Sequence, residues 1–466
     1  MRRRNCLVLL LSLSCCAGPR PPLPPGTAVV VPGDWRLVSA PSRAIDQVWW
    51  RQLGDTALDG LVDEALASNV DLMAAGARIS EARAQFRFAS SRARPSLALS
   101  VGGGPGRDVN AFGEGLDQTK ASGQLSVAYE VDLFGRLSAA TEATRQTLVA
   151  TEFARDATRV ALVSTVVMGY IGLRSLDAQL QIASDTAGSR AAELTVMRRR
   201  ADAGYSSKLD LRQAEAAYEA AARLIPASRL AISRQESALS VLAGRAPGPI
   251  ARDRNLDDLG VIEVPHSLPA EVLRQRPDIA EAEARIASTD RDLDSARASF
   301  LPRVQLSAAG GGVASTVLSG AISIFSIGGS ILAPLFQGGA LRATADAAAA
   351  RRDQAAYAYR RVVLTAFQEV EDALAGVENL HEEGDAVARQ VAFGRAGLEL
   401  ARRRYRAGYA SYLDQLDLER SLLDAQLQLV DLRRSQLVTV VSLYRSLGGG
   451  WHRTVSSPRE APTLVR

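Results

Sequence analysis

The chain has 466 residues, which is enough for two or three ordinary domains. Apolar residues make up 47% and charged residues 23%, which excludes a mostly disordered chain and a polytopic helical membrane protein. The net charge of +4 is small and the arginines are interspersed with acids, so no basic patch indicates a nucleic-acid partner.

The N-terminus has the features of an export signal. Arg2–Arg4 form a positive region, and the apolar stretch Cys6–Leu13 that follows is far shorter than the ~20 residues of a membrane-spanning helix. A small residue, Ser14, then precedes two adjacent cysteines, and this ending is similar to a bacterial lipoprotein signal. An ordinary signal peptide with incidental cysteines is the alternative.

We therefore predict a lipoprotein signal peptide over residues 1–14 and a lipid anchor with an extended segment over residues 15–57. Cys15 is the favoured lipid-attachment residue because Ser14 directly precedes it, and Cys16 is the alternative. No cysteine follows Cys16, so no internal disulfide can stabilise the exported chain.

The rest of the chain contains one pattern twice. Residues 198–210 recur as residues 402–414, an offset of 204. Shorter matches occur in the same order at similar offsets: Ala77–Ile79 with Ala284–Ile286, Leu133-Phe134 with Leu335-Phe336, and Arg159-Val160 with Arg361-Val362. The chain is therefore predicted to be two copies of a unit of about 200 residues, too long for a solenoid repeat.

The first repeat is predicted over residues 58–250. Its elements are a helix over 58–93, strands over about 95–104 and 122–131, a long helix over 137–203, a turn near Gly204 and a returning helix over 209–242.

A linker is predicted over residues 251–269, the second repeat over 270–447 and a tail over 448–466. The second repeat's elements are a helix over 278–300, strands over about 302–310 and 322–335, a long helix over 340–407, a turn near Gly408 and a helix over 413–447.

Two proline-free stretches, residues 106–225 and 335–457, support the long helices, because proline breaks helices more strongly than any other residue. At 1.5 Å per residue each long helix would extend roughly 100 Å. Gly204 and Gly408 are good C-terminal caps, so each long helix is predicted to turn back as a helical hairpin packed in coiled-coil fashion.

The strand segments alternate apolar and polar residues, as Leu97, Leu99 and Val101 do with Ala98 and Ser100. Such a pattern fits both a half-buried soluble sheet and a transmembrane barrel. Four strands cannot close a membrane barrel, which starts at eight strands, and an open edge is not tolerated in lipid. If these strands span a membrane, two chains would share eight strands or three would share twelve.

Several short motifs then point to a known family. They are Trp49-Trp50, the run Glu130–Arg136, Arg276-Pro277-Asp278-Ile279, Phe300 with Pro302, and Pro334–Phe336 with Gly338-Gly339. In this order and spacing the chain resembles TolC-like outer-membrane efflux proteins, specifically the OprM- or NodT-like lipoprotein subgroup of resistance-nodulation-division pumps. The resemblance covers nearly all of the mature chain.

The resemblance implies a mainly α fold with a β-barrel portion: a homotrimer with a shared 12-stranded barrel in the outer-membrane lipid and an α-barrel tunnel in the periplasm. It implies a passive conduit for small toxic compounds or drugs, with a periplasmic adaptor protein and an inner-membrane transporter as partners. A type I secretion conduit and a non-conducting lipid-anchored scaffold are the alternatives.

No enzyme activity, metal or cofactor is expected, apart from the covalent lipid. His266, His381 and His452 are far apart in sequence and lack the spacing of a zinc site. No Ser/His/Asp or Cys/His set recurs in both repeats.

The resemblance also implies a periplasmic gate at the hairpin tips. Its residues match Asp414 and Asp417 after the second tip, Tyr405 before that tip, and Asp210 after the first tip. Three chains would place six carboxylates from Asp414 and Asp417 around a narrow lumen and favour cations. The alternative interpretation is that both aspartates are ordinary solvated helix residues.

One position near the second hairpin tip departs from the family's gate pattern. Some TolC-like proteins have an arginine where this chain has Ala410, so a closing salt bridge through that arginine is not expected here. Leu413 and Leu416 would then form a hydrophobic constriction. The triplets Arg198–Arg200 and Arg402–Arg404 are interpreted as helix-dipole and solvation residues, and Glu369–Asp372 as a solvated helix face.

Overall fold

The computed structural model describes residues 21–36, 45–109, 112–260 and 269–453. The predicted signal peptide, Cys15, Cys16 and His266 lie outside these residues. The chain is mainly helical with one small antiparallel sheet, as the sequence predicts.

Two compact units divide the described chain. The first, here called the sheet unit, is built mainly from Ala77–Phe153 and Ala280–Val362 and contains every strand. The second, here called the tip unit, is built mainly from Val30–Gly76, Ala154–Ile279 and the residues from Val363 onward, and it contains both hairpin turns.

The first half of the chain holds five helices and two strands in the described residues. They are α1 (Thr56–Ser68), α2 (Val70–Ser91), β1 (Ser96–Val109), β2 (Gly115–Val131), α3 (Arg136–Asp202), α4 (Lys208–Ala222) and α5 (Leu224–Leu242).

The second half, again in the described residues, repeats this order, except that one continuous helix takes the place of α4 and α5. Its elements are α6 (Pro269–Gln275), α7 (Pro277–Ala298), β3 (Arg303–Ser315), β4 (Ile322–Leu332), α8 (Ala340–Arg406) and α9 (Tyr412–Ser446). Short 3-10 helices lie at Trp49–Leu53 and Leu256–Asp258.

Two helices predicted as continuous are interrupted. The predicted helix over 58–93 breaks at Asn69, whose extended backbone ends α1 and whose side chain accepts a hydrogen bond from the Leu72 amide at 3.0 Å to cap α2. The predicted helix over 209–242 breaks at Arg223, between α4 and α5. Pro226 lies just beyond this break, and it cannot donate a backbone hydrogen bond to the preceding turn.

The sheet has the order β1-β2-β3-β4, with every neighbouring pair antiparallel. Both hairpins extend further than predicted, since β1 reaches Val109 and β3 reaches Ser315. Strands from the two halves join through β2 and β3, whose register pairs Leu125 with Gly310.

One face of this sheet is apolar across all four strands. Leu97, Val127, Ala308 and Ile327 lie side by side in register, as do Leu99, Leu125, Gly310 and Phe325. The side chains of Leu99 and Phe325 are 71% and 85% exposed in the protomer. On the other face Ser100, Gln124, Gly311 and Ile324 align at one level, and Ala98, Ser126, Ala309 and Ser326 align at the next.

The apolar residues of β4 are divided between the two faces of the sheet. Ile322 and Ile324 share a face with Ser326 and Ser330, so they do not belong to the continuous apolar face. Register with β3 places Phe325 and Ile327 on that face instead, because strand side chains alternate with a period of two.

Among the described residues, α3 is the one helix that is long and apolar enough to cross a membrane, judged by length and composition alone. Its most apolar window has 18 residues. More than half of that window, 56%, is buried inside the protein, as expected of a helix that packs against other helices.

A buried aspartate organises the start of α1 in the tip unit. The Asp55 carboxylate is 1% exposed and accepts hydrogen bonds from the Ala57 and Leu58 amides, both at 3.0 Å. It also accepts from the Tyr170 hydroxyl at 2.8 Å and the Arg254 amide at 3.1 Å. Burial and this hydrogen bond raise the pKa of Tyr170.

The Arg-Pro-Asp motif forms a second buried network in the tip unit. The Arg276 guanidinium is 7% exposed and forms a two-point ion pair with Asp278, at 3.0 and 2.6 Å. It also donates to Glu369 at 2.7 Å and to the Ser446 carbonyl at 2.9 Å. The interpretation of Glu369 as a solvated residue is therefore wrong, because it neutralises a buried arginine.

Corresponding glycines make the same close approach in the two halves. A side chain at Gly244 would lie 2.1 Å from the Ser68 carbonyl oxygen, and one at Gly448 would lie 2.0 Å from the Gln275 carbonyl oxygen. Both glycines follow a helix and have φ of +73° and +96°. Each helical pair therefore ends on a contact that only glycine allows.

We expect Gly244→Ala to lower the free energy of unfolding by more than about 3 kcal/mol, because strain and a backbone clash combine. Gly204→Ala is the matched control, since its φ is +78° and nothing lies within 4 Å of its added Cβ. That change should cost only about 1 kcal/mol. Denaturant unfolding followed by circular dichroism measures both, and equal losses would contradict the close approach.

Candidate functional site at the helical hairpin tips

The two hairpin turns have the same backbone geometry. In the first, the amides of Gly204 and Tyr205 donate to the carbonyls of Ala201 and Arg200 at 3.1 and 2.8 Å. In the second, the amides of Gly408 and Tyr409 donate to the carbonyls of Tyr405 and Arg404 at 3.0 and 2.8 Å. Gly204 and Gly408 have φ of +78° and +80°, so both turns are glycine-terminated Schellman motifs.

Each returning helix begins with a capping box. Ser411 accepts a hydrogen bond from the Asp414 amide at 3.2 Å, and the Asp414 carboxylate accepts from the Ser411 amide at 2.9 Å. Ser207 and Asp210 make the same exchange at 3.1 and 3.3 Å. Two predicted gate residues, Asp210 and Asp414, therefore also fix the start of α4 and α9.

Asp414 is exposed on the surface of the protomer. Hydrogen bonds from the Ser411 side chain and amide hold its pKa below the usual value. Asp414 therefore carries a negative charge at neutral pH.

α9 has two distinct faces near the tip. Leu413, Asp414, Asp417 and Arg420 are exposed in the protomer. Asp417 is ion-paired with Arg420 at 3.6 Å, and both side chains are more than half exposed. The opposite face is buried and consists of Tyr412, Gln415, Leu416 and Glu419.

The buried face of α9 packs against the first hairpin. Tyr412 and Leu416 join Leu194 and Met197 of α3 and Ala214 and Ala217 of α4 in one apolar cluster, here called the hairpin seam. Tyr405 of α8 packs on this cluster with its ring 5.7 Å from that of Tyr412, and its hydroxyl lies 3.9 Å from the Met197 sulfur.

Leu416 is fully buried within this seam. The prediction that it forms a constriction together with Leu413 is therefore wrong for Leu416, because its side chain belongs to the core of the protomer. Leu413 is 47% exposed.

A polar cluster adjoins the hairpin seam. The Arg402 guanidinium, through Nη2, donates to Glu193 at 3.2 Å and to Glu419 at 3.3 Å. The Gln415 amide nitrogen donates to the same two carboxyl groups, both at 2.9 Å. Arg402 is thus only a quarter exposed and bridges two acids, so its interpretation as a solvation residue is wrong.

Glu193 and Glu419, here called the carboxyl pair, come from α3 and α9. Burial, followed by a hydrogen bond and repulsion from Glu419, raises the pKa of Glu193 to about 7, although Arg402 acts in the opposite direction. Burial and the two carboxyl groups also raise the pKa of Tyr412 to about 12.

Sequence reasoning missed this cluster. The signal that could have revealed it is the spacing of Gln415 and Glu419, which lie on the same helical face as Tyr412 and Leu416. A charged residue at an apolar position of a coiled-coil face needs a partner from a neighbouring helix.

Comparison with known proteins agrees with the sequence motifs. The profile of the family described as "Outer membrane efflux protein" matches residues 61–245 and 268–449. The chain is 33% identical over 434 residues to the probable efflux pump outer membrane protein TtgC of Pseudomonas putida, covering 91% of this chain and 90% of that protein.

Two further relatives extend this likeness. The cation efflux system protein CusC of Escherichia coli O6:H1 is 34% identical over 426 residues, which cover 90% of this chain and 91% of CusC. The open-state crystal structure of the MtrE outer membrane channel of Neisseria gonorrhoeae superposes with a TM-score of 0.80 at 28% identity, covering 94% of this chain and 99% of MtrE.

These matches confirm the resemblance, the fold class and the outer-membrane location predicted from the sequence. With its two repeated helical hairpins and its apolar-faced sheet, the chain belongs to the outer membrane efflux protein family and is an outer-membrane efflux channel component.

Proposed function

We propose that three copies of this chain form a passive conduit that exports small toxic compounds through a shared twelve-stranded barrel and a helical periplasmic tunnel. The observation that carries the proposal is the continuous, exposed apolar face of an open four-stranded sheet. Neither feature suits a sheet that remains alone in water.

The sheet edges require further copies. Within the described residues β1 and β4 each pair on one side only, so each leaves a row of backbone groups without a strand partner. In hydrocarbon such groups cost several kcal/mol each, and only a closed barrel satisfies them. Two copies would close eight strands around a side-chain-filled interior, whereas three copies close twelve and leave room for a channel.

The two faces of the sheet match this assembly. The face with Leu99, Leu125 and Phe325 has the apolar character of a lipid-facing wall, and the opposite face with Ser100, Gln124 and Ser126 suits a water-filled lumen. Because neighbouring residues point to opposite faces, each strand supplies both surfaces at once.

A passive conduit needs an energy source elsewhere. The family resemblance supplies a periplasmic adaptor and an inner-membrane resistance-nodulation-division transporter as partners. The names of the relatives TtgC and CusC describe outer-membrane and cation efflux components, which supports assignment to a multi-protein pump.

The exposed face of α9 supports a gate at the second hairpin tip. Leu413, Asp414 and Asp417 lie on the surface of the protomer, so three copies could bring them together around a narrow lumen. Six carboxylates in one constriction would favour cations. Tyr405 lies behind this face in the hairpin seam, where it would position α9 without lining the opening.

Conductance in planar bilayers tests the conduit. Purified full-length protein should insert as a trimer and give discrete channels. Absence of any pore, even after Asp414 and Asp417 are both changed to alanine, would refute the conduit and favour a lipid-anchored scaffold.

We expect Asp417→Ala to raise leak of bulky antibiotics through the outer membrane, because it removes a charge and its ion pair with Arg420. The susceptibility of a strain that expresses the variant should rise at least severalfold. Asp424→Ala is the matched control, since Asp424 is also exposed on α9 but lies two turns further from the tip. Unchanged susceptibility would count against the gate.

We expect Cys15→Ser to abolish incorporation of labelled palmitate, because the acyl chains attach to the cysteine that follows signal cleavage. Cys16→Ser is the control and should retain labelling. The reverse pattern would place the anchor at Cys16, and labelling of the double variant would contradict both assignments.

A further inference from the structure

We propose that Glu193 and Glu419 form a shared-proton site that ties the first hairpin to the second, so that the seam loosens when the proton leaves. The inference rests on the proposed gate, because the site acts on the helix that carries Asp417. The proposed site binds a proton at a position distinct from the exposed gate carboxylates.

The two carboxyl groups are held together by common donors. Arg402 Nη2 and Gln415 Nε2 each donate to Oε1 of both acids, with all four distances between 2.9 and 3.3 Å. One guanidinium nitrogen and one amide thus keep two like-charged groups in contact. Such an arrangement is costly when both are ionised and favourable when one carries a proton.

The remaining oxygens indicate where a proton would bind. Glu193 Oε2 and Glu419 Oε2 are both buried and have no hydrogen-bond partner among the described residues. A proton on Glu193 converts one of its oxygens from an acceptor into a donor. Without it, two buried carboxylate oxygens would remain unsatisfied, which destabilises the packed state.

Charged side chains of α3 and α8 lie next to this site. α3 contributes Arg190, which is 5% exposed, donates to the Ala217 carbonyl at 2.8 Å and leaves Nε and Nη2 without a partner among the described residues. α8 contributes Arg402, whose ion pair with Glu399 spans 3.5 Å. The other titratable groups close by are Asp185 on α3, Tyr405 on α8, Tyr412 on α9 and Tyr218 on α4.

A small cavity borders the same cluster. It has a volume of about 190 Å³ and is lined by residues that include Arg190, Arg402 and Glu419. This space is large enough to hold water. Such water would give the proton a route between solvent and the carboxyl pair, so that the site could equilibrate with the periplasmic pH.

The direction of the pH effect follows from the raised pKa of Glu193. When the seam opens, the pKa of Glu193 returns toward its ordinary value of 4.5, whereas in the packed state it is about 7. Below pH 4.5 both states hold the proton and the seam is most stable. As pH rises from 4.5 to 7 the open state loses its proton first, so opening becomes favoured, and above 7 the effect is constant.

The seam couples this equilibrium to the gate. Glu419 lies two residues after Asp417, and Tyr412 and Leu416 hold the same turns of α9 against α3. Repulsion between Glu193 and Glu419 would therefore move the tip of α9 away from the first hairpin. One proton per protomer limits the change in the opening equilibrium to tenfold per pH unit.

The first experiment detects the proton directly. Infrared difference spectra of the purified protein should show a protonated-carboxyl band that titrates near pH 7. Glu193→Gln and Glu419→Gln, which keep the acceptor oxygen, should both abolish it, whereas Asp424→Asn should retain it. Absence of the band from the unmodified protein, or its persistence in both glutamine variants, would overturn the site.

The second experiment measures coupling to opening. Spin labels at Tyr205→Cys and Tyr409→Cys, on the two exposed tips, should separate as pH rises from 5 to 7, and channel open probability should rise over the same range. In Glu193→Gln both responses should disappear and the tips should stay together. If the distance between the tips of the unmodified protein does not change with pH, the coupling is overturned.

The two assays separate failure of this inference from failure of the proposed conduit. An infrared band with pH-dependent tip distances but no conductance in any variant would refute the conduit and leave the shared-proton site standing. Conductance without the band or the tip movement would refute the shared-proton site alone.

Discussion

The unpaired edges of the four-stranded sheet are the constraint on which the rest of this protein depends. A membrane interior supplies no water to hydrogen-bond a free strand edge, so in the proposed trimer β1 and β4 pair with strands of other copies. The duplication supplies the strands in matched hairpins, one from each half, joined in register through Leu125 and Gly310. The exposed apolar face would be unfavourable in water but is favourable in a membrane, where lipid covers it.

A different constraint acts at the hairpin tips, where polar groups are buried between helices. The seam of Tyr412, Leu416 and Met197 is apolar, so its own contribution to holding the hairpins together does not change with pH. Beside it, Glu193 and Glu419 share the donors Arg402 and Gln415, and Arg190 lines the adjoining cavity. The net strength of the contact therefore depends on protonation, since desolvating two like charges is far more costly than desolvating one.

The capping boxes show how one residue can serve local structure and a proposed function together. Asp414 closes the first turn of α9 through Ser411, and this hydrogen bonding keeps the carboxylate charged. Asp210, which is also a predicted gate residue, makes the same exchange with Ser207 at the start of α4. The recurrence of the motif after both tips therefore reflects helix initiation first, and only the exposed setting of α9 distinguishes Asp414.

Much of the fold was predictable because its signals are local. The proline-free stretches and the tip glycines located α3 and α8 to within one residue, since helix continuation and termination depend on neighbours along the chain. The interruptions at Asn69 and Arg223 were missed. Asn69 donates to the Leu242 carbonyl, a contact between residues 173 positions apart that no local pattern records.

The sequence by itself determined the duplication, the type of the long helices and of the four strands, and the family, because repeated motifs and helix or strand periodicity are properties of the linear chain. Only the tertiary structure decided which face each residue occupies: that Phe325 and not Ile324 joins the apolar wall, that Leu416 is core, and that Glu193 meets Glu419 across two helices. The face that a residue occupies depends on strand register and on packing between segments that are distant in sequence. A small shift in either moves the residue to another face and leaves the periodicity of the sequence unchanged.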